Sequence, residues 1–312
     1  MFQQLSDYSA YLAVRLVVGL VQALPLKVVD DASAPLARLM WRVLRIRKKV
    51  VQQNLQIAFP QASSEEHEQI ALGMWRHLFL MIAEIAHASR KVHRTNWREQ
   101  SSIPDMPTLV RQMLSGRPTV IISGHLGNFE LGGYLLGLHG FPTHTIARKL
   151  DNPYLDRWVT EFRGKTGQHM LPKNDSSRQI AHLLESGGTL VLLGDQYAGD
   201  TACWVDFFGK PASTHKAVAV FTLSGQAPTA ISAVLRKGGP LHFEMCLADL
   251  VDPMVDDFQK GTIPALTQWY TDGLEQLVRK APEQYWWVHR RWKGTPTDRR
   301  ERRRKRRAKP AA

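Results

Sequence analysis

The chain has 312 residues, 44% of them hydrophobic and 22% charged, with 41 Lys and Arg against 28 Asp and Glu. This composition excludes a disordered or collagen-like polymer and leaves ample length for a buried core. Cys203 and Cys246 are the only cysteines and lie in no CxxC or Cys/His cluster, which excludes a disulfide-stapled scaffold.

Residues 9–26 (SAYLAVRLVVGLVQALPL) form the first apolar stretch, about long enough to cross a bilayer core. Arg15 and Gln22, seven apart, share one helix face. Three readings fit: a span with a snorkelling Arg, a helix lying in the membrane interface, or a core helix. No small-residue cleavage site follows, so a removable signal peptide is not expected. Residues 36–51 read as one amphipathic helix with Arg38, Arg42, Arg45 and Lys49 along one face and Trp41 at a membrane interface. Seven basic residues from Lys27 to Lys49 face only Asp30 and Asp31, a charge of +5 that suits an anionic surface. A solvated face on a core helix is the alternative.

Ser63-Ser64-Glu65-Glu66 has the form of a helix start, and apolar residues from Ile70 to Ile85 continue at helical spacing. From residue 117 the pattern becomes α/β. Strands are expected at Thr119–Ser123, Thr143–Ala147 and Thr189–Leu193, with a late pair at Pro228–Lys237 and Leu241–Leu250 around Gly238-Gly239. Helices between the first strands predict a mainly parallel central sheet flanked by helices. The aromatic segment from Val205 to Thr214 reads as a packed connection or an apolar wall beside a site. Residues 290–309 hold 12 basic and two acidic side chains, so +10 of the net +13 lies there. The body is close to neutral, and residues 294–312 are expected to be a disordered Arg-rich tail.

Chemistry concentrates in Ser123-Gly124-His125-Leu126-Gly127-Asn128-Phe129-Glu130. His125 follows a buried strand, at the edge where open α/β sheets bind ligands. Glu130 and His125 meet only if the histidine sits in the turn and the glutamate on the first helical turn. The carboxylate then fixes one ring nitrogen and leaves the other free to take a proton. A histidine satisfied by backbone is the structural alternative. Ser123 lacks a GxSxG elbow and sits within the strand, so it is a poor nucleophile. The twelve histidines show no HExxH or HxH metal spacing, and no P-loop or GxGxxG occurs. Asp195-Gln196 follows the strand at Thr189–Leu193. It either lines the same cleft as His125 or caps the next loop.

Six segments in order resemble the bacterial lipid A biosynthesis acyltransferases, a branch of the HxxxxD/E glycerolipid acyltransferases. They are VVQQNLQIAFPQASSEEH from Val50, SGHLGNFELGG from Ser123, ARKLDNPYLDRW from Ala147, LLGDQ from Leu192, VDFFGKPASTHKAVAVF from Val205 and PEQYWWVHRRWK from Pro282. Gly124 in place of Asn before the histidine, and Glu130 in place of Asp, suit this branch rather than a lysophosphatidate transferase. The resemblance implies a membrane-anchoring helical region over 1–50, an acyltransferase domain over 51–293 and the tail over 294–312. It implies His125 and Glu130 as the catalytic pair, and Arg148, Asp195 and Gln196 as substrate-binding residues, with no metal or cofactor. The implied donor is an acyl thioester of acyl carrier protein or coenzyme A, and the oxyanion is expected to be met by backbone N–H groups after the strand. The implied acceptor is a lipid A precursor hydroxyl, with a phosphatidylinositol mannoside or other glycolipid as the alternative. The implied location is the cytoplasmic face of the inner membrane. Nucleic-acid binding through the basic tail is the non-enzyme alternative, disfavoured by the near-neutral body.

Overall fold

The computed structural model describes residues 2–104, 107–173, 176–199, 202–255 and 257–296. Most of the Arg-rich tail, from residue 297, lies outside the described residues. The chain opens with α1 (Phe2–Ala23) and α2 (Leu26–Arg38), followed by a π-helical turn over Leu39–Val43, then α3 (Lys48–Ala58) and α4 (Ser64–Lys91). A capping box starts α4: Ser63 Oγ accepts from the Glu66 N–H at 3.2 Å, and the Glu66 carboxylate accepts from the Ser63 N–H at 2.6 Å.

The helix expected over 36–51 is not continuous. Arg45 and Arg47 adopt left-handed backbone, φ 52° and 57°, in the break between the π turn and α3. Trp41 is buried rather than interfacial, with the Lys48 ammonium 4.7 Å from its ring centroid. No residue of α1 is buried, so it is not a core helix. It rests on α4 through Gln22, whose amide donates to the Ala86 carbonyl at 2.6 Å. No single helix among the described residues is long and apolar enough to cross a membrane. The pair Phe2–Ala23 and Leu26–Val43 passes that test only together and is bent by 114°.

The α/β part runs α5 (Trp97–Gln100), β1 (Ser101–Ser102), α6 (Pro107–Leu114), β2 (Thr119–Ser123), α7 (Phe129–Leu138), β3 (Thr143–Ala147) and α8 (Pro153–Gly164). It continues with β4 (Gln168–Pro172), α9 (Ser177–Glu185), β5 (Thr189–Leu193), β6 (Cys203–Phe207), β7 (Lys210–Thr214), α10 (Ala217–Ser224), β8 (Thr229–Arg236), β9 (Phe243–Val251) and α11 (Ile263–Lys280). Seven strands form one sheet in the order β1-β9-β8-β2-β5-β3-β4, parallel except for the β8–β9 pair. The aromatic segment is the β6–β7 hairpin rather than a loop. Strand β2 is buried on both faces, which is why it reads as an unbroken apolar run. Val120 and Ile122 enter one core with Leu190 and Trp287, while Ile121 enters the other with Leu131 and Leu135 of α7. Asn152 caps α8 and also reaches back to α1, donating to the Asp7 carbonyl at 2.6 Å. Tyr8 of α1 packs edge-on against Tyr154 of α8, and Arg15 lies over Trp158.

Candidate active site

Strands β2 and β5 are parallel neighbours, with Ser123 opposite Leu193. Each is followed by a glycine, and each places a polar residue two positions past its last paired residue: His125 and Asp195. The register therefore sets these two side by side at the carboxyl edge of the sheet. One carboxylate grips the histidine twice. The His125 backbone N–H donates to Asp195 Oδ2 and its Nδ1–H donates to Oδ1, both at 2.8 Å. Gly124 permits the approach, since a Cβ there would lie 3.2 Å from the Asp195 carboxyl.

An ionised carboxylate only accepts, so the neutral imidazole carries its proton on Nδ1 and leaves Nε2 bare. That nitrogen accepts from Gln196 Nε2 at 2.9 Å, and the same amide nitrogen lies 2.9 Å from His289 Nε2. Burial opposes charging of His125, but the charge and hydrogen bond of Asp195, with the charge of Glu130, outweigh it and raise the pKa. Burial also opposes ionisation of Asp195. The charge and hydrogen bonds of His125, aided by Arg291, overcome this and hold the carboxyl below the usual range. Arg291 is itself buried, donating to the Ser213 carbonyl at 2.7 Å and to Thr214 Oγ1 at 2.6 Å.

Glu130 stands on the first turn of α7, as the spacing requires, but it does not hold the imidazole. Its carboxylate accepts from Arg163 of α8 at 2.8–3.2 Å. Phe129 takes the place beside His125, with ring centroids 4.8 Å apart. A permanent guanidinium charge is a stronger partner for a carboxylate than a neutral ring. Arg148 is exposed at the rim and pairs with Asp151 at 3.1 Å. His125, Glu130, Arg148, Arg163 and Gln196 line one cavity of about 620 Å³, whose walls include Phe129, Leu136, Val234 and Met245. Asp195 lies behind His125, outside that lining.

Three backbone donors at the turn are already engaged. The His125 N–H serves Asp195, the Gly127 N–H donates to the Gln284 carbonyl at 3.0 Å, and the Asn128 N–H donates to the Val234 carbonyl at 2.8 Å. Side-chain donors that line the cavity include the Gln196 amide, the guanidinium groups of Arg148 and Arg163 and the Lys173 ammonium.

A buried polar network that the sequence did not announce fixes the turn from behind. Glu84 of α4 accepts from Arg236 Nε at 2.5 Å and Nη2 at 2.6 Å, from Asn128 Nδ2 at 2.8 Å and from the Leu241 N–H at 3.1 Å. Arg236 Nη1 donates to His77 Nδ1 at 2.8 Å, and His77 Nε2–H donates to the Gly127 carbonyl at 3.1 Å. Burial, then the Arg236 charge, pushes the His77 pKa down to about 3, so it stays neutral. Gly127 has φ 59°, and any Cβ there would collide with the Val234 carbonyl. The segment from Gln284 to Trp292 closes the other side. The Trp286 N–H donates to the His125 carbonyl at 3.0 Å, and Asn54 Nδ2 donates to the Trp287 and His289 carbonyls at 2.7 and 2.5 Å.

The family model for bacterial lipid A biosynthesis acyltransferases matches residues 1–294. The chain belongs to that family. Curated relatives include the lipid A biosynthesis palmitoleoyltransferase of Escherichia coli (strain K12), 25% identical over 260 residues and covering 81% of each chain. The lauroyltransferase of the same strain is 24% identical over 286 residues, 90% of each chain. The phosphatidylinositol mannoside acyltransferase of Mycolicibacterium smegmatis is 28% identical over 116 residues, 36% of this chain and 38% of that one. The protein is an acyltransferase, and the match spans both the apolar N-terminal helices and the turn that carries His125.

Proposed function

We propose that this acyltransferase moves a fatty acyl chain from an acyl thioester, of carrier protein or coenzyme A, to a hydroxyl of a lipid A precursor, with His125 as general base. The observation that carries the reading is the histidine itself: Nδ1 is clamped by Asp195 while Nε2 opens on a cavity with apolar walls. The acceptor hydroxyl displaces the Gln196 amide from Nε2 and gives its proton to that nitrogen as its oxygen attacks the thioester carbonyl. The C–O bond forms, the C–S bond breaks, and the imidazolium returns the proton to the leaving thiolate. Asp195 orients the ring and stabilises its cation. The Gln196 amide, Arg148 and Arg163 are the candidates to meet negative charge on the carbonyl oxygen. Glu130 keeps Arg163 in place and adds negative potential at His125.

The apolar side chains of α1 left in the open, among them Leu12, Leu16, Val17 and Leu20, support placement on a membrane. Leu39, Val43, Leu44 and Ile46 extend that surface beside Arg42 and Arg45. On this reading the surface rests on the cytoplasmic face of the inner membrane. The whole-length likeness to lipid A enzymes favours that acceptor over a mannoside, whose relative matches about a third of the chain. The test is transfer by purified protein in detergent, with lipid A precursor and acyl thioester, read by mass spectrometry. The parent protein adds one acyl chain and His125→Ala loses 10²-fold or more. Near-parental turnover by a folded His125→Ala protein overturns the assignment.

A further inference from the structure

Gln196 also borders a second hollow of different character. Its lining is Arg47, Gln196, Tyr197, His289, Arg290 and Lys293, with a volume of about 430 Å³. Gln196 borders both spaces, so the same amide that touches the catalytic nitrogen forms the near wall of the hollow. Arg47 and Arg290 continue into a further groove of about 690 Å³ beside Arg45, Lys48 and Lys49. Six cations therefore surround a path that starts one side chain away from His125.

Among the described residues no ion pair joins Arg45, Arg47, Lys48, Lys49, Arg290 or Lys293 to a carboxylate. Lys48 and Lys293 rest on the rings of Trp41 and Tyr197. Elsewhere on the surface cations do find acids: Arg42 bonds Glu68, Arg76 bonds Asp30 and Arg117 bonds Asp252. Like charges gathered with no paired carboxylate among the described residues favour a bound anion.

The backbone points the same way. Arg45 and Arg47 are both left-handed, a conformation that costs a non-glycine residue free energy, and left-handed outliers collect at ligand sites. On the opposite bank, Asn54 of α3 ties down the carbonyls of Trp287 and His289, which sets Arg290 against the start of the same helix. Two strands of chain more than 240 residues apart are thus fixed to one another where their arginines face a common space.

We propose that Arg47 and Arg290, with Lys293, form a subsite that holds a phosphoryl group of a substrate while its reacting atom lies at His125. This rests on the acyl-transfer reading. A phosphoryl group can come from the acceptor glycolipid or from the phosphopantetheine arm of the donor. The apolar cavity then holds the acyl chain, and the basic hollow holds the anion.

Two measurements on the full-length protein in detergent test the proposal. The first compares kcat/KM for phosphorylated and enzymatically dephosphorylated acceptor, and for acyl-coenzyme A and a phosphate-free acyl thioester. It uses the parent, Arg47→Gly, which accepts the left-handed backbone, and Arg290→Gln. The preference of the parent for one phosphorylated partner falls about 10-fold or more in each variant, and the partner concerned identifies the source. The second measurement needs no turnover: inorganic pyrophosphate raises the melting temperature of the parent, less so at high salt, and fails to do so in Arg47→Gly/Arg290→Gln. A parent that binds pyrophosphate through these arginines but transfers no acyl chain refutes the acyl-transfer reading and keeps the subsite. Variants that lose activity equally with and without substrate phosphate, or a parent indifferent to pyrophosphate, overturn the subsite.

Discussion

Glu84 offers a severe test of how the catalytic turn is held. It is completely buried, and its two oxygens accept four donors: two from Arg236, one from Asn128 and one from the backbone of Leu241. Replacing it with Ala strands a buried guanidinium whose remaining side-chain partner is the neutral His77. Breaking a buried ion pair from one side costs about 3–5 kcal/mol, a large share of a total stability of about 5–15 kcal/mol. At roughly 2–4 °C per kcal/mol for a large domain, the melting temperature falls by about 6–20 °C. The assay is thermal unfolding in detergent, read beside turnover. A second variant separates stability from positioning. Glu84→Met/Arg236→Met removes both charges, so much of the melting temperature returns. Turnover does not return, because Asn128 Nδ2 has lost its acceptor and His77 no longer has a partner at Nδ1. A Glu84→Ala protein that melts within about 2 °C of the parent, with parental turnover, refutes the claim that this network positions His125.

The remaining predictions concern the turn and its charges. If His125 is the base, as proposed, it must be neutral to act, so turnover rises with pH through its pKa, which lies above the ordinary value. Asp195→Asn removes the main raising influence, so the acid limb of kcat/KM against pH moves to lower pH while its plateau drops by about 10²–10⁴-fold. Glu130→Gln shifts the limb the same way by less; a larger shift for Glu130 than for Asp195 overturns the assignment of the ring's partner. Gly127→Ala collides with the Val234 carbonyl and forces an unfavourable φ, so it gives an inactive protein with a lowered melting temperature. Parental activity in that variant would mean that the turn is not fixed by β8.

Legibility in the sequence followed the reach of each interaction. Thr119–Ser123, Thr143–Ala147 and Thr189–Leu193 are strands with the expected bounds; the first and last are short apolar runs that suit a buried parallel sheet. Gln168–Pro172 went unread because Gln-His-Met-Leu-Pro carries no β-branched residue and no alternation, and as an edge strand it needed neither. The β6–β7 hairpin looked like a loop, although its tip Phe208-Gly209 is left-handed at both residues, φ 53° and 69°, as a tight hairpin turn demands. The break at Arg45 and Arg47 carries no Gly or Pro to announce it. Position in sequence pointed from His125 to Glu130, five residues on. The carboxylate that reaches the ring is 70 residues away, because β5 inserts next to β2 in the sheet. A sharper reading was available: both His125 and Asp195 stand two residues past a buried strand.

The closure of the catalytic turn by Gln284–Trp292 has a consequence in time. Ribosomal synthesis at about 5–20 residues per second leaves roughly 8–30 s between the appearance of His125 and that of Arg291. Until its last part Gly127 lacks the acceptor for its N–H and His289 has yet to be made, and Asp195, once made, waits for the cation that helps keep it ionised. A nascent chain can therefore dock its first helices long before the turn that carries His125 is closed. The turn is closed only when residues 284–292 fold back on it, so a chain released before them is expected to be inactive.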